Sequence, residues 1–195
     1  MSSQWIRRGV AGALLAAAAS TLAGVFALVF PGPNMGPEGS LSWYLIESAD
    51  AVAQLGLLAA LIGLHVLQAP RYGRLGRAGF ALTFAGTALF VVSTVMWLLP
   101  LTDGVILDVL FTGAMVGYLM GFPLFGVATL RARVLPVWFG LVLTGFIAYF
   151  ALIVVLVDYY GEARALLALV WVSIAYALWS YRPAPVATAD AALRV

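Results

Sequence analysis

Cysteine and lysine are both absent from this 195-residue chain, and histidine occurs once, as His65. Without cysteine there is no disulfide, no thiol nucleophile and no cysteine-ligated metal. One histidine also excludes the histidine clusters with which membrane oxygenases hold iron. Charge is scarce: 9% of residues are charged, against about a quarter in a soluble domain. All the basic residues are arginine and the formal net charge is +2. They fall between apolar stretches and form no dense patch, so no nucleic-acid partner is expected. Catalytic signatures are missing too. There is no HExxH, no Gly-x-Ser-x-Gly, no aspartate-rich prenyltransferase or CDP-alcohol signature and no phosphate-binding loop. Neither a cofactor nor a metal site is expected.

What remains is apolar. Hydrophobic residues make up 64% of the chain and the mean hydropathy is +1.06. Apolar stretches long enough to cross a bilayer recur from end to end, which a soluble core does not require. The expected fold class is all-α, a polytopic integral membrane helical bundle of six transmembrane helices. The spans fall near 9–30, 45–68, 76–99, 104–130, 136–157 and 163–181. Pro31 and Pro33, Pro70 and Pro100 stop the first three spans, and Pro136 suits the first turn of the fifth. Residues 1–182 read as one six-span domain, and 183–195 as a flexible cytoplasmic tail.

Arginine placement orients the bundle. Arg7 and Arg8 precede span one, and Arg71, Arg74 and Arg77 fill the second connection. Arg131 and Arg133 fill the fourth, and Arg182 follows span six. The other connections carry Glu38, then Asp103, then Asp158, Glu162 and Arg164. The alternation predicts both termini in the cytoplasm, with the chain in the cell inner membrane or plasma membrane. Arg7-Arg8 before an alanine-rich run also has the form of a secretory signal peptide. The run continues to Phe30, longer than a signal core, so the first helix is expected to be retained.

Small residues line three spans. Gly113, Gly117 and Gly121 recur every four residues in span four. Gly12, Ala16, Ser20 and Gly24 line span one, and Gly79, Thr83 and Thr87 line span three. Such faces let helix backbones approach closely where lipid offers no hydrophobic drive. They serve packing within the bundle or, as the alternative, a homodimer. Pro123 in span four cannot donate its backbone hydrogen bond, so a kink is expected there, either static or a hinge.

The most informative feature is a polar stripe on span two. Glu47, Asp50, Gln54, His65 and Gln68 share one helical face, with Leu61 interrupting it. Residues 47 and 68 are separated by about 30 Å of helix, so the stripe divides into an outer and an inner cluster. Ionisable groups within a bilayer are costly and usually face protein or water. Two carboxylates one turn apart repel when both are charged, which favours a shared proton. Such a pair suits a general acid, a proton-coupling site or a cation ligand. The competing reading is interfacial: acids near the outer boundary are hydrated and favour a helix start.

The expected catalytic residues are Glu47, Asp50 and Asp108, with Gln54, His65, Thr94, Trp97, Tyr118 and Tyr176 as substrate-binding residues. Thr87, Thr112, Met115, Ser173 and Ser180 are further candidates to line the same space. Trp43, Trp97, Trp138 and Trp179 also read as interfacial anchors. The function expected first is a small membrane-embedded enzyme acting on a lipid-soluble substrate, an isoprenoid among the candidates, by carboxyl acid/base chemistry near the outer interface. A proton-coupled small transporter or channel is one alternative, and a non-enzymatic accessory membrane protein is the other. The expected partners are membrane lipids or a lipophilic small molecule, and a second copy of the chain through the glycine-rich faces.

Overall fold

The computed structural model describes residues 2–29, 39–99, 104–155 and 160–181, with side chains described in 4–29, 39–99, 104–149 and 166–181. Pro31, Pro33, Glu38, Pro100, Asp103, Asp158, Arg182 and the tail expected at 183–195 lie outside the described residues. So do the side chains of Glu162 and Arg164. Six helices follow one another: α1 (Ser2–Val29), α2 (Leu41–Gln68), α3 (Gly73–Leu98), α4 (Gly104–Ala132), α5 (Val137–Val155) and α6 (Tyr160–Ser180). No strand occurs among the described residues. The first four helices are long and apolar enough to cross a membrane. α5 and α6 contain shorter apolar stretches, Val137–Tyr149 and Leu166–Ser180.

One helix end differs from the sequence reading in a way that matters for the polar stripe. α2 begins at Leu41 because Ser40, in extended conformation, accepts a hydrogen bond from the Trp43 amide at 3.2 Å. That is an N-cap, and it starts the helix four residues before the expected 45. No acidic residue then falls in the first turn of α2 or of α4. A helix-start role for Glu47, Asp50 or Asp108 therefore has little field to act on, since the dipole effect fades beyond the first turn. At the other end, the Gln68 carbonyl accepts from the amides of Arg71 at 2.9 Å and Tyr72 at 3.2 Å. Gly73, at φ +64°, then reverses the chain into α3.

Glycine seams join consecutive helices. A Cβ added at Gly12 would meet the Gly56 carbonyl oxygen at 2.5 Å, and one at Gly56 would meet the Gly12 oxygen at the same distance. α1 and α2 are thus in backbone contact, with Gly9 against Gly63 further along. α3 and α4 repeat the arrangement through Gly86 and Gly117 and through Gly121, whose added Cβ would lie 2.5 Å from the Thr83 amide. Gly126 of α4 presses on Thr144 of α5 in the same way. Gly117 and Gly121 therefore face α3 of their own chain. The chain remains helical through Pro123. Beside it, Gly79 lies against the Phe125 backbone, so the segment expected to kink is held at contact distance by α3.

α1 also packs along α6, which brings the first and last helices together. The space between the seams is filled by large side chains. Phe122, Phe125, Phe139, Phe146 and Trp171 are fully buried, together with Leu57, Leu61 and Leu64 of α2. Phe122 and Phe146 lie 4.2 Å apart between ring centroids, and Trp171 is within 6.3 Å of both. The Trp171 indole donates to the Ser20 hydroxyl at 3.1 Å, which satisfies the one polar atom of that aromatic centre and ties α6 to α1.

Candidate functional site

Seven residues after its N-cap, α2 turns Glu47 into the bundle, where the side chain is 3% exposed. Asp50 follows one turn later, half-buried, and Gln54 one turn beyond that, buried. The 3.6-residue period sets these three on one face, the face that also carries Leu57, Leu61 and Leu64 into the core. Glu47 and Asp50 each interact with other groups of the protein. Trp43, one turn before Glu47, is buried and meets Tyr44 edge-on at 4.8 Å and Trp97 of α3 at 6.0 Å.

Opposite Gln54, α4 supplies Tyr118. Its hydroxyl donates to Gln54 Oε1, a bond between residues 64 positions apart, with the Thr87 hydroxyl of α3 beside it. The Asp50 side chain lies near the same phenol. Thr87 in turn donates to the Thr83 carbonyl, and Thr83 to that of Gly79, each at 2.8 Å. Phe90 stacks on the Tyr118 ring at 5.6 Å, and Phe122 and Phe146 close its other sides at 5.4 and 6.0 Å. A polar chain from three helices is therefore enclosed by aromatic rings. In such surroundings a hydrogen bond is stronger than in water and an unpaired polar atom is costlier.

The sequence-predicted residues divide accordingly. Asp50, Gln54 and Tyr118 come together, with Glu47 buried one turn away and Thr94 buried on α3. Trp97 stands beside Trp43 at the edge of this group, 43% exposed. Asp108 is not brought in: it lies on the exposed face of α4 with Val105, Val109 and Thr112. Tyr176 is 53% exposed and neighbours Trp138 and Trp179 on the outside of the bundle. Ser173 and Ser180 donate to carbonyls of their own helix, so neither needs a ligand. Among the described residues, no group of three or more acidic or histidine side chains is placed to hold a metal ion.

His65 belongs to a different place. Its Nδ1 is hydrogen-bonded to the Tyr72 hydroxyl, and its ring stacks on Phe80 at 4.1 Å. Between it and Gln54 lie Leu57, Leu61 and Leu64, each at most 1% exposed. Tyr72 was not anticipated as part of any cluster. It is buried, it touches Phe125 edge-on at 6.0 Å, and it folds inward because Gly76 has no Cβ to obstruct the ring. Burial pushes its phenol up to about 12, with the Arg77 guanidinium pulling the other way. The phenol is therefore neutral at physiological pH and available to hydrogen-bond His65. The visible signal for this was a tyrosine in an arginine-rich turn, followed by Gly73 and Gly76, which is a weak one.

No protein-family model, no curated protein and no solved structure matches this chain.

Proposed function

We propose that the protein is a small multi-pass membrane enzyme acting by carboxyl acid/base chemistry on a lipid-soluble substrate, with an isoprenoid as one candidate class. In this reading all six helices cross the cell membrane and both termini are cytoplasmic, following the arginine distribution. The acids then lie just beneath the outer face. The observation that carries the proposal is the Tyr118–Gln54 hydrogen bond with Asp50 beside it, built from separate helices inside an aromatic surround.

Asp50 is assigned as the proton donor because it is half-buried and so more open than Glu47. Its carboxyl proton passes to one carbon of a substrate alkene, leaving a carbocation at the other and a carboxylate on Asp50. Loss of a proton from the neighbouring carbon to that carboxylate completes an isomerisation and returns the acid to its starting state. The faces of Trp43 and Phe90 favour the developing positive charge. Glu47 acts as the electrostatic partner of Asp50. Tyr118 and Gln54 are positioning residues that hold the site's shape and dipoles.

A conducting path is less well supported. The outer group and His65 are separated on α2 by buried leucines, and the facing space is filled by Phe122 and Phe146. An accessory role explains the seams but leaves a buried Glu47 without a task. Native mass spectra of gently purified protein, wild type beside Asp50→Asn, test the proposal. It expects a discrete isoprenoid-like molecule retained by both, turned over by wild type and not by the variant. Only ordinary phospholipid in both spectra would sink it and direct work to proteoliposome flux and partner capture.

A further inference from the structure

Gln68 ends α2 on the face that carries Leu61 and Leu64, and like them it is 0% exposed. Its backbone carbonyl accepts two hydrogen bonds from the following turn. Its side chain does not share in this: both Nε2 and Oε1 are buried and have no hydrogen-bond partner. A buried primary amide with donor and acceptor both unmet is rare in folded proteins, because each lost bond to water goes uncompensated. A leucine or methionine at this place would avoid that. The surroundings are built rather than accidental. Within the same turn, Tyr72 is drawn inward and fastened to His65, and His65 is stacked on Phe80.

We propose that the inner end of the bundle contains a second polar site, in which the Gln68 carboxamide binds a small neutral group presenting one hydrogen-bond acceptor and one donor. A hydroxyl-type oxygen has this chemistry, and it has two sources: an internal water, or the terminal hydroxyl or amide of an amphiphile lying in the bundle. The site is distinct from the Asp50 group at the opposite end of α2 and does not depend on the function proposed for it.

The test compares wild type with Gln68→Met, reconstituted as full chains in phosphatidylcholine nanodiscs. Methionine keeps the length and flexibility of glutamine without its polar atoms. If the amide has a bound partner, Q68M loses those bonds and melts lower, by about 2–4 °C or more. If the amide is bare, Q68M removes an unmet polar group and melts at the same or a higher temperature, which overturns the proposal. A structure of the wild-type chain in the same nanodiscs supplies the second reading, independent of how well the variant folds. Density within hydrogen-bond distance of both amide atoms supports the site. A single-atom peak identifies water, whereas extended density with a co-purified mass that Q68M loses identifies an amphiphile. An amide surrounded by protein atoms alone refutes it.

Discussion

The seams within the α1–α2 and α3–α4 pairs and the space between α2 and α4 are both buried, yet they are filled by opposite means. At the seams, glycines bring backbones so close that a single added carbon would lie 2.5 Å from a neighbouring backbone atom. Between α2 and α4 the helices stand apart, and Tyr118 has to reach across to find Gln54. Backbone contact leaves no volume for a ligand and no side chain to act on one. Separation bridged by long side chains instead brings polar groups of different helices together. In this bundle the seams set the rotation of each helix, and that rotation determines which polar groups meet in the gap.

The sharpest way to break the comparison is to spoil a seam. Gly56→Leu or Gly117→Leu places a branched side chain where Gly12 or Gly86 backbone already sits. Either is expected to cost about 3 kcal/mol or more and to abolish a monodisperse peak in size-exclusion chromatography. A seam that tolerates leucine would mean that the helix pairs are held by something else. Next comes the bridge. Tyr118→Phe keeps the ring and removes the hydroxyl, leaving the Gln54 side chain buried without its donor, at a cost of about 1–3 kcal/mol. Adding Gln54→Leu should restore part of that, and a double-mutant cycle by thermal melts reads the coupling directly. Strict additivity would show the bridge to be energetically idle.

A smaller effect is expected at high pH. The Tyr72 phenol is pushed up to about 12 in the folded protein, from about 10 in an unfolded chain. Its contribution is fully present below pH 10 and is lost as pH rises from there through 12, because the unfolded chain gives up that proton first. Melting temperatures across this window should fall less steeply in Tyr72→Phe than in wild type. Equal slopes would remove Tyr72 from the account of the His65 end of α2. Asp108→Asn marks the floor: on the exposed face it should change stability by no more than about 0.5 kcal/mol and leave ligand retention unaltered. A loss of retention in D108N would return Asp108 to the site.

The six helices were legible in the sequence, since apolar length and proline placement are local properties. The inward face of α2 was legible for the same reason, because a 3.6-residue period needs no partner to be seen. Asp108 shows where reading one helix at a time stopped short. It stands nine residues before Gly117, about half a turn out of phase. Once α3 occupies the glycine face, Asp108 must point away from it. The glycine spacing contained that information, but only in combination with the knowledge that α3 rather than α2 or a second chain fills the seam. Tyr176 was misplaced for a similar reason: it stands about 140° round α6 from the buried Trp171. The pairing of Tyr118 with Gln54 joins positions 64 apart and left no local trace.

The hydrogen bond from Trp171 to Ser20 also has a consequence for how the chain assembles. The α1–α2 and α3–α4 hairpins each hold their own seam and can close as they leave the ribosome. The first helix, however, keeps a buried serine waiting for an indole that is synthesised 151 residues later. Closure of the ring is thus a late event, and the aromatic centre is completed in the same step that satisfies Ser20. A nascent chain halted before α6 should hold two finished hairpins around an unfinished middle, a species that membrane proteases can distinguish from the completed protein.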